Sequence, residues 1–249
     1  MSARRAGASS RRRDKARGKL YAPRLVSGSL AVSFSSRAPL PRSLVRLCSR
    51  SQRELWGLRL GRLYGFGIGI SYAAVAMFAP PSTGGAAKLW VRCVVTASWV
   101  AGVGALSLAR DLSARDTAQG IVSLSRLRGF GEAQLERART LAGALRLAGT
   151  VLVPGLILAL GLLLRFRTWH GALVALSLAV LTLPYAALVG GTLAPLARAC
   201  NRWLPGRGRL LLMAITLGPW LLGAGLDAHV PSIPAAFGWL LEHIARSFH

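Results

Sequence analysis

The sequence predicts an all-α polytopic integral membrane helical bundle, with amphipathic cytoplasmic helices at one end. Three observations carry that expectation. Hydrophobic side chains make up 53% of the 249 residues, and mean hydropathy is +0.44. Several apolar runs approach the roughly 20 residues an α-helix needs to cross about 30 Å of hydrocarbon. The length suits one domain, so the apolar runs have to pack together.

The balance of charge adds a location to this picture. Lys and Arg number 32 against 8 Asp and Glu, for a formal net charge of +24, and sixteen of the basic residues fall in positions 1–63. The charge therefore belongs to a segment and not to a patch on a folded body. Aromatics are sparse within it, at Tyr21, Phe34 and Trp56, so nucleic acid is not the expected partner; membrane lipids are, through anionic headgroups on the cytoplasmic side. Cys48, Cys93 and Cys200 are odd in number, with no CxxC or His-adjacent spacing, so neither a disulfide framework nor a metal site is indicated.

Residues 1–49 read as a basic, disordered tail. They contain "ASSRRRDKARGK" and the Pro-punctuated "SSRAPLPRS", with Asp14 the only acid, a composition that buries no core. The same Arg- and Ser-rich, acid-poor start also suits an organelle transit peptide or an over-extended start.

The transmembrane domain is expected over 50–249. "SQRELWGLRLGRL" (51–63) sets Leu55, Trp56, Leu58, Leu60 and Leu63 among Arg53, Glu54, Arg59 and Arg62, as an interfacial helix does. The first span is expected over 64–79, stopped by Pro80 and Pro81. Its glycines at 65, 67 and 69 suit a close-packing face, because no strand precedes them and no phosphate-binding Lys follows. The second span covers 89–109, with Arg92 snorkelling to the headgroups beside Trp90. The third (147–164) carries Pro154, and the fourth (171–197) carries Pro184 and Pro195; such prolines are tolerated where neighbouring helices re-satisfy the freed carbonyls. A fifth span is expected over 210–226. A final helix over 235–246 is too short for a comfortable crossing and reads as half-buried or re-entrant.

Orientation follows from the loop arginines and lysines. With the N-terminus in the cytoplasm, the inner segments 1–63, 110–146 and 198–209 hold sixteen, seven and four of them, and the outer loops hold Lys88, then Arg165 with Arg167. The 110–146 loop is then cytoplasmic. Ser113 followed by Asp116 suits a capping box, and Ile121, Leu124, Leu127, Leu135, Ala138, Leu141 and Leu145 recur at three and four residues. Two amphipathic helices fit, broken by "RGFG" at 128–131. Arg126, Arg128, Arg137, Arg139, Glu132 and Glu136 would give exposed charge for a protein partner, although a solvated helical hairpin has the same composition.

The run "ARDTAQGIVSLSRLRGFGEAQLERARTLAGAL", followed at once by a long apolar stretch, resembles the segment joining the second and third spans of permeases in the type-2 ATP-binding-cassette exporter family. In that segment an acidic residue, a Gly, a leucine pair and a turn precede the next helix. The matching positions are Asp116, Gly120, Leu124, Leu127 and the turn from Arg128 to Gly131. The basic helix at 51–63 is similar to that family's connecting helix, and the likeness covers roughly 50–249. The resemblance implies a separate ATPase subunit docked on Asp116, Gly120, Leu124, Leu127, Arg128, Gly129 and Phe130, a second permease subunit, and ATP and Mg²⁺ held by the ATPase. It also implies a bacterial inner (plasma) membrane. Family members carry six spans with short re-entrant helices before the last, and "DAHVPSIPAAFGWLLEHIA" is too short to hold both.

No nucleotide or catalytic motif is expected in the chain itself. There is no GxxxxGK[ST]; "RGKLYAP" (17–23) lacks both the first glycine and the Ser or Thr that would hold Mg²⁺. An intramembrane enzyme would need ionisable groups at membrane depth, yet His170, His229, His243 and His249 fall at span ends or in the tail. HExxH and G-x-S-x-G are absent, and Asp227 with His229 reads as an ordinary loop pair. A non-transporting scaffold or assembly factor remains the alternative that composition leaves open.

Overall fold

The computed structural model describes residues 40–78, 82–110, 116–117, 119–166 and 168–216. Among them every regular element is an α-helix: α1 (Arg42–Gln52), α2 (Trp56–Phe78), α3 (Thr83–Leu108), α4 (Ile121–Leu127), α5 (Glu132–Arg165) and α6 (Trp169–Trp203), followed by a helical segment over 208–216.

Local chemistry sets these boundaries. Pro41 N-caps α1 in the extended conformation its ring favours, and its carbonyl accepts from Leu44 N at 3.0 Å. The Ser82 hydroxyl accepts from Gly85 N at 3.2 Å and starts α3, while Thr168 does the same for Gly171 N at 3.3 Å and starts α6. α5 and α6 carry Pro154, Pro184 and Pro195 without interruption. At 1.5 Å per residue, α5 and α6, of 34 and 35 residues, are each about 50 Å long. Both exceed the hydrocarbon thickness by about 20 Å, and the excess carries their charged ends.

Among the described residues, three helices are long and apolar enough to cross a membrane: Gly84–Leu108, Glu132–Arg165 and Trp169–Trp203. These contain the expected second, third and fourth spans. The expected first span lies within α2, which is not one of the three; five glycines with Arg59 and Arg62 dilute its apolar content. Of the expected fifth span only 210–216 is described, and the short helix at 235–246 lies outside the described residues.

The helix boundaries at the N-terminal side differ from the sequence reading. No separate helix spans 51–63: the chain turns at 53–55, and positions 56–63 are the first turns of α2. The amphipathic helix is α1, which includes residues grouped by composition with the tail, and Leu44, Cys48 and Gln52 are its buried face. The reason is a stripe spaced by four, with Arg42, Arg46 and Arg50 turned outward.

Close approach holds the bundle. A Cβ at Gly65 would lie 2.8 Å from the Thr150 carbonyl oxygen, and one at Gly69 would lie 2.8 Å from Pro154 Cα, so α2 packs on α5 backbone to backbone. Gly67 faces open space; the packing face runs through 61, 65 and 69, the four-residue spacing of a helix. α3 buries a small-residue face including Ala97, Ala101 and Ala105. Polar side chains stitch the helices together: Trp90 Nε1 donates to Thr182 Oγ1 at 2.9 Å, Ser98 and Tyr185 hydroxyls meet at 2.8 Å, and Tyr72 and Thr96 hydroxyls at 3.5 Å. Trp90 is buried, while its neighbour Arg92 is exposed. Thr150 and Thr192 instead bond carbonyls of their own helices.

Outside, the bundle is greasy. Leu63, Phe66 and Ile70 of α2, Leu156, Leu160 and Leu163 of α5, and Leu176, Val180 and Leu183 of α6 are all exposed. Runs of this kind on helices long enough to span are what a lipid solvent requires, since contiguous apolar surface in water is a site of association.

Candidate functional site

The end of the bundle where α5 begins and α6 finishes differs from the rest. There α1, α4 and the first turns of α5 share a small core of Leu44, Cys48, Ile121, Leu135, Ala138 and Ala142, with Phe130 packed against it. α4 and the start of α5 are joined by the turn at 128–131, where the sequence predicts a break between two helices, as an open hairpin whose arms meet in this shared core and not along their lengths. Gly120 (φ 69°) and Gly129 (φ 74°) take left-handed conformations at its two corners, where a side chain costs about 1–2 kcal/mol. Phe130 N donates to the Ser125 carbonyl at 2.9 Å, and the Gln134 side-chain oxygen accepts from Gly131 N at 3.4 Å.

Beside this core lies a buried ionic network. Arg139, 7% exposed, pairs with Asp116, 4% exposed, and with Glu136 of its own helix. Glu136 also lies 3.7 Å from Arg198 and 3.8 Å from Arg202, both near the end of α6. The network therefore ties the loop after α3 to both long helices. The Ser51 hydroxyl sits 3.2 Å from Asp116 Oδ1 and 2.8 Å from Gln119 Oε1, donating to one at a time, and Gln52 Nε2 donates to the Arg139 carbonyl at 2.9 Å. α1 is thereby fastened to the same point. A charge in such surroundings persists only when paired.

The thiol of Cys48 sits within reach of these charges. Burial pushes it up to about 11, against the opposing pull of the Arg139 guanidinium. As an acid bound more tightly to its proton when folded, it contributes stability that is intact below its ordinary value near 9 and is lost between about 9 and 11. A buried thiol of this kind is inert at neutral pH.

The expected docking residues separate into two groups. Asp116 is buried in the network, and its two carboxylate oxygens serve Arg139 and Ser51; Ser113, its expected capping partner, lies outside the described residues. Phe130 packs inward, and Gly120 and Gly129 shape the backbone. Leu127 is 84% exposed at the hairpin tip, beside exposed Arg128, while Leu124 is half-buried. An open groove lined by Thr117, Val122, Ser123, Arg126 and Leu127 runs along α4.

The charges expected to face a partner are also divided. Arg126 and Glu132 form an exposed pair at 3.1 Å, whereas Arg139 is inside and Glu136 is half-buried. A signal for Arg139 exists in the sequence: it lies four residues after Leu135 and three before Ala142, on the buried stripe. Leu141 and Leu145, assigned to that stripe, are exposed. Gln52 continues the four-residue stripe of Leu44 and Cys48, and Arg198 lies four residues after buried Ala194, so the same periodicity that marks Arg139 marks both of them against the polarity of their side chains.

Neither a family model, nor a curated protein sequence, nor a solved structure matches this chain. The functional reading therefore rests on the geometry and on the resemblance of the loop.

Proposed function

We propose that this chain is the permease subunit of an ATP-driven exporter, with five spans and a short sixth helix in a bacterial inner membrane and its N-terminus in the cytoplasm. A separate ATPase docks on the cytoplasmic hairpin, and a second permease subunit completes the pathway. ATP and Mg²⁺ belong to the ATPase.

The observation that carries this reading is continuity. The second arm of the hairpin and the third span are one helix, α5, uninterrupted from Glu132 to Arg165. The buried network locks Asp116 to that helix and the helix to the end of α6. In this reading a displacement applied at the hairpin tip reaches α5 through the turn at 128–131 and through the paired charges, and α5 itself continues unbroken to membrane depth. In this reading Leu127 and Arg128 are the contact residues, and Asp116, Gly120, Gly129 and Phe130 hold the shape that presents them. α2 counts as a span because its outward side, from Leu63 to Phe78, presents exposed apolar residues as α5 and α6 do.

Co-purification in mild detergent tests the docking. Wild-type protein is expected to bring down a nucleotide-hydrolysing subunit, and Leu127→Ser with Arg128→Glu to weaken its retention about ten- to a hundredfold at unchanged abundance. Undiminished retention by the double variant removes the hairpin tip as the docking site. Absence of any ATPase from the wild-type complex leaves a non-transporting scaffold as the better reading.

A further inference from the structure

A second cluster of charge sits beside the site just described and plays no part in the docking. Arg146 of α5 donates through Nη2 to the Ser49 carbonyl and, at 3.1 Å, to the Ser49 hydroxyl, which pins the end of α1 to α5. Its Nε and Nη1 are buried without a hydrogen-bond partner. Arg53 N donates to the same Ser49 carbonyl at 3.1 Å, and Arg62 follows Gly61, whose Cβ position lies 3.7 Å from Thr150 one turn along α5, so two more guanidinium-bearing residues stand beside Arg146. Glu54, the acid beside Arg53 in sequence, accepts from Gln119 Nε2 at 3.4 Å. Neither Arg53 nor Arg62 forms an ion pair among the described residues, and both are exposed.

Three like charges held together by the fold repel one another, and an oxyanion held by the two exposed guanidiniums offsets that repulsion. Its depth points to the source of that oxyanion. Arg146 immediately precedes the apolar stretch of α5, and Arg62 stands one residue before Leu63. Leu63, Phe66 and Ile70, at helical spacing, continue from Arg62 as an exposed apolar strip, with exposed Trp56 and Tyr64 at the level of the arginines. Aromatics and arginines at the head of an apolar strip match the headgroup layer of a bilayer, with an acyl chain lying along the strip.

We propose that Arg53, Arg62 and Arg146 form a binding site for the phosphate of an anionic phospholipid, whose acyl chain lies on the outer face of α2. Arg53 and Arg62 grip the phosphate from the rim, and Arg146 supplies positive potential from beneath. The inference requires a bilayer around the bundle and is independent of an ATPase.

The test is thermal unfolding of delipidated full-length protein in detergent, titrated separately with phosphatidylglycerol, phosphatidylcholine and sodium phosphate at constant ionic strength. Phosphatidylglycerol is expected to raise Tm saturably, and the other two are expected to give no comparable rise. The R53Q/R62Q variant needs about tenfold or more phosphatidylglycerol for the same rise; R42Q/R46Q, which removes two exposed arginines of α1 outside the cluster, needs about the wild-type amount. Without lipid, R53Q/R62Q melts no lower than wild type, because removing charge beside Arg146 relieves repulsion, and this keeps a folding defect from imitating lost binding. Equal loss in both double variants indicates a diffuse basic surface and overturns the site. An unchanged response in R53Q/R62Q, or an equal response to phosphatidylcholine or to free phosphate, overturns it as well.

Discussion

Replacing Arg139 with alanine is expected to release α4 and the segment holding Asp116 from α5 while leaving the spans assembled. The substitution strands Asp116 in a site where it is 4% exposed, and removing one partner of a buried ion pair costs about 3–5 kcal/mol. Glu136 keeps Arg198 and Arg202 nearby, so the damage falls on the loop holding Asp116 and on α4. Hydrogen exchange of the amides in 119–130 should accelerate by about 10²–10⁴-fold, with those of 150–162 unaffected. Arg126→Ala removes a pair whose side chains are 67% and 83% exposed, and exposed pairs of that kind contribute at most about 1 kcal/mol. Replacing Asp116 and Arg139 together with leucine and methionine should restore most of the protection, since apolar substitutes of similar volume offset the lost pair. Slow exchange in R139A would show that the network does not hold the hairpin.

Gly190→Leu is expected to be strongly damaging where α5 and α6 pack together. A Cβ at 190 falls on the Ala144 carbonyl oxygen and lies 3.0 Å from the Ala148 backbone nitrogen, so two backbones have to move apart. Overpacking against backbone costs about 3 kcal/mol, which corresponds to about 6–12 °C in Tm for a chain of this length. Its neighbour supplies the control: nothing lies within 4 Å of a Cβ at Gly191. Gly191→Ala should leave Tm unchanged or raise it, as alanine replaces glycine within a helix. Similar Tm values for the two variants would contradict the contact between α5 and α6 at this level.

Much of this architecture is legible in the sequence where a single physical rule dominates. Long apolar runs read directly as the three membrane-length helices, and two glycines within "RGFG" mark the hairpin turn. Gly65 and Gly69 are recognisable as packing residues, but Gly67 is not on their face, because a helix brings every fourth residue, not every second, to the same side. α1 is hidden by the arginines around it. Its Leu44 and Cys48 stripe is sound, yet average composition over 1–49 outweighs a pattern of a few residues.

Rules fail most clearly where charge and burial conflict. Arg139 reads as exposed from its chemistry and as buried from its position, and position decides, because Asp116 and Glu136 are there to neutralise it. Asp116 is reached from a different stretch of chain, and no spacing rule links 116 to 139. The continuity of α5 is obscured for a related reason. Its first half is charged and its second half apolar, so hydropathy divides one helix into a loop and a span.

Every functional step in this account requires the polar end of the bundle to face the compartment that holds ATP. The three native thiols are buried, so a cysteine placed at exposed position 128 can be labelled without removing them. In intact cells, R128C should resist a membrane-impermeant maleimide and react readily in inside-out vesicles, whereas a cysteine at Trp169, 78% exposed at the opposite end, should show the reverse. Labelling of residue 128 from outside intact cells would contradict the account.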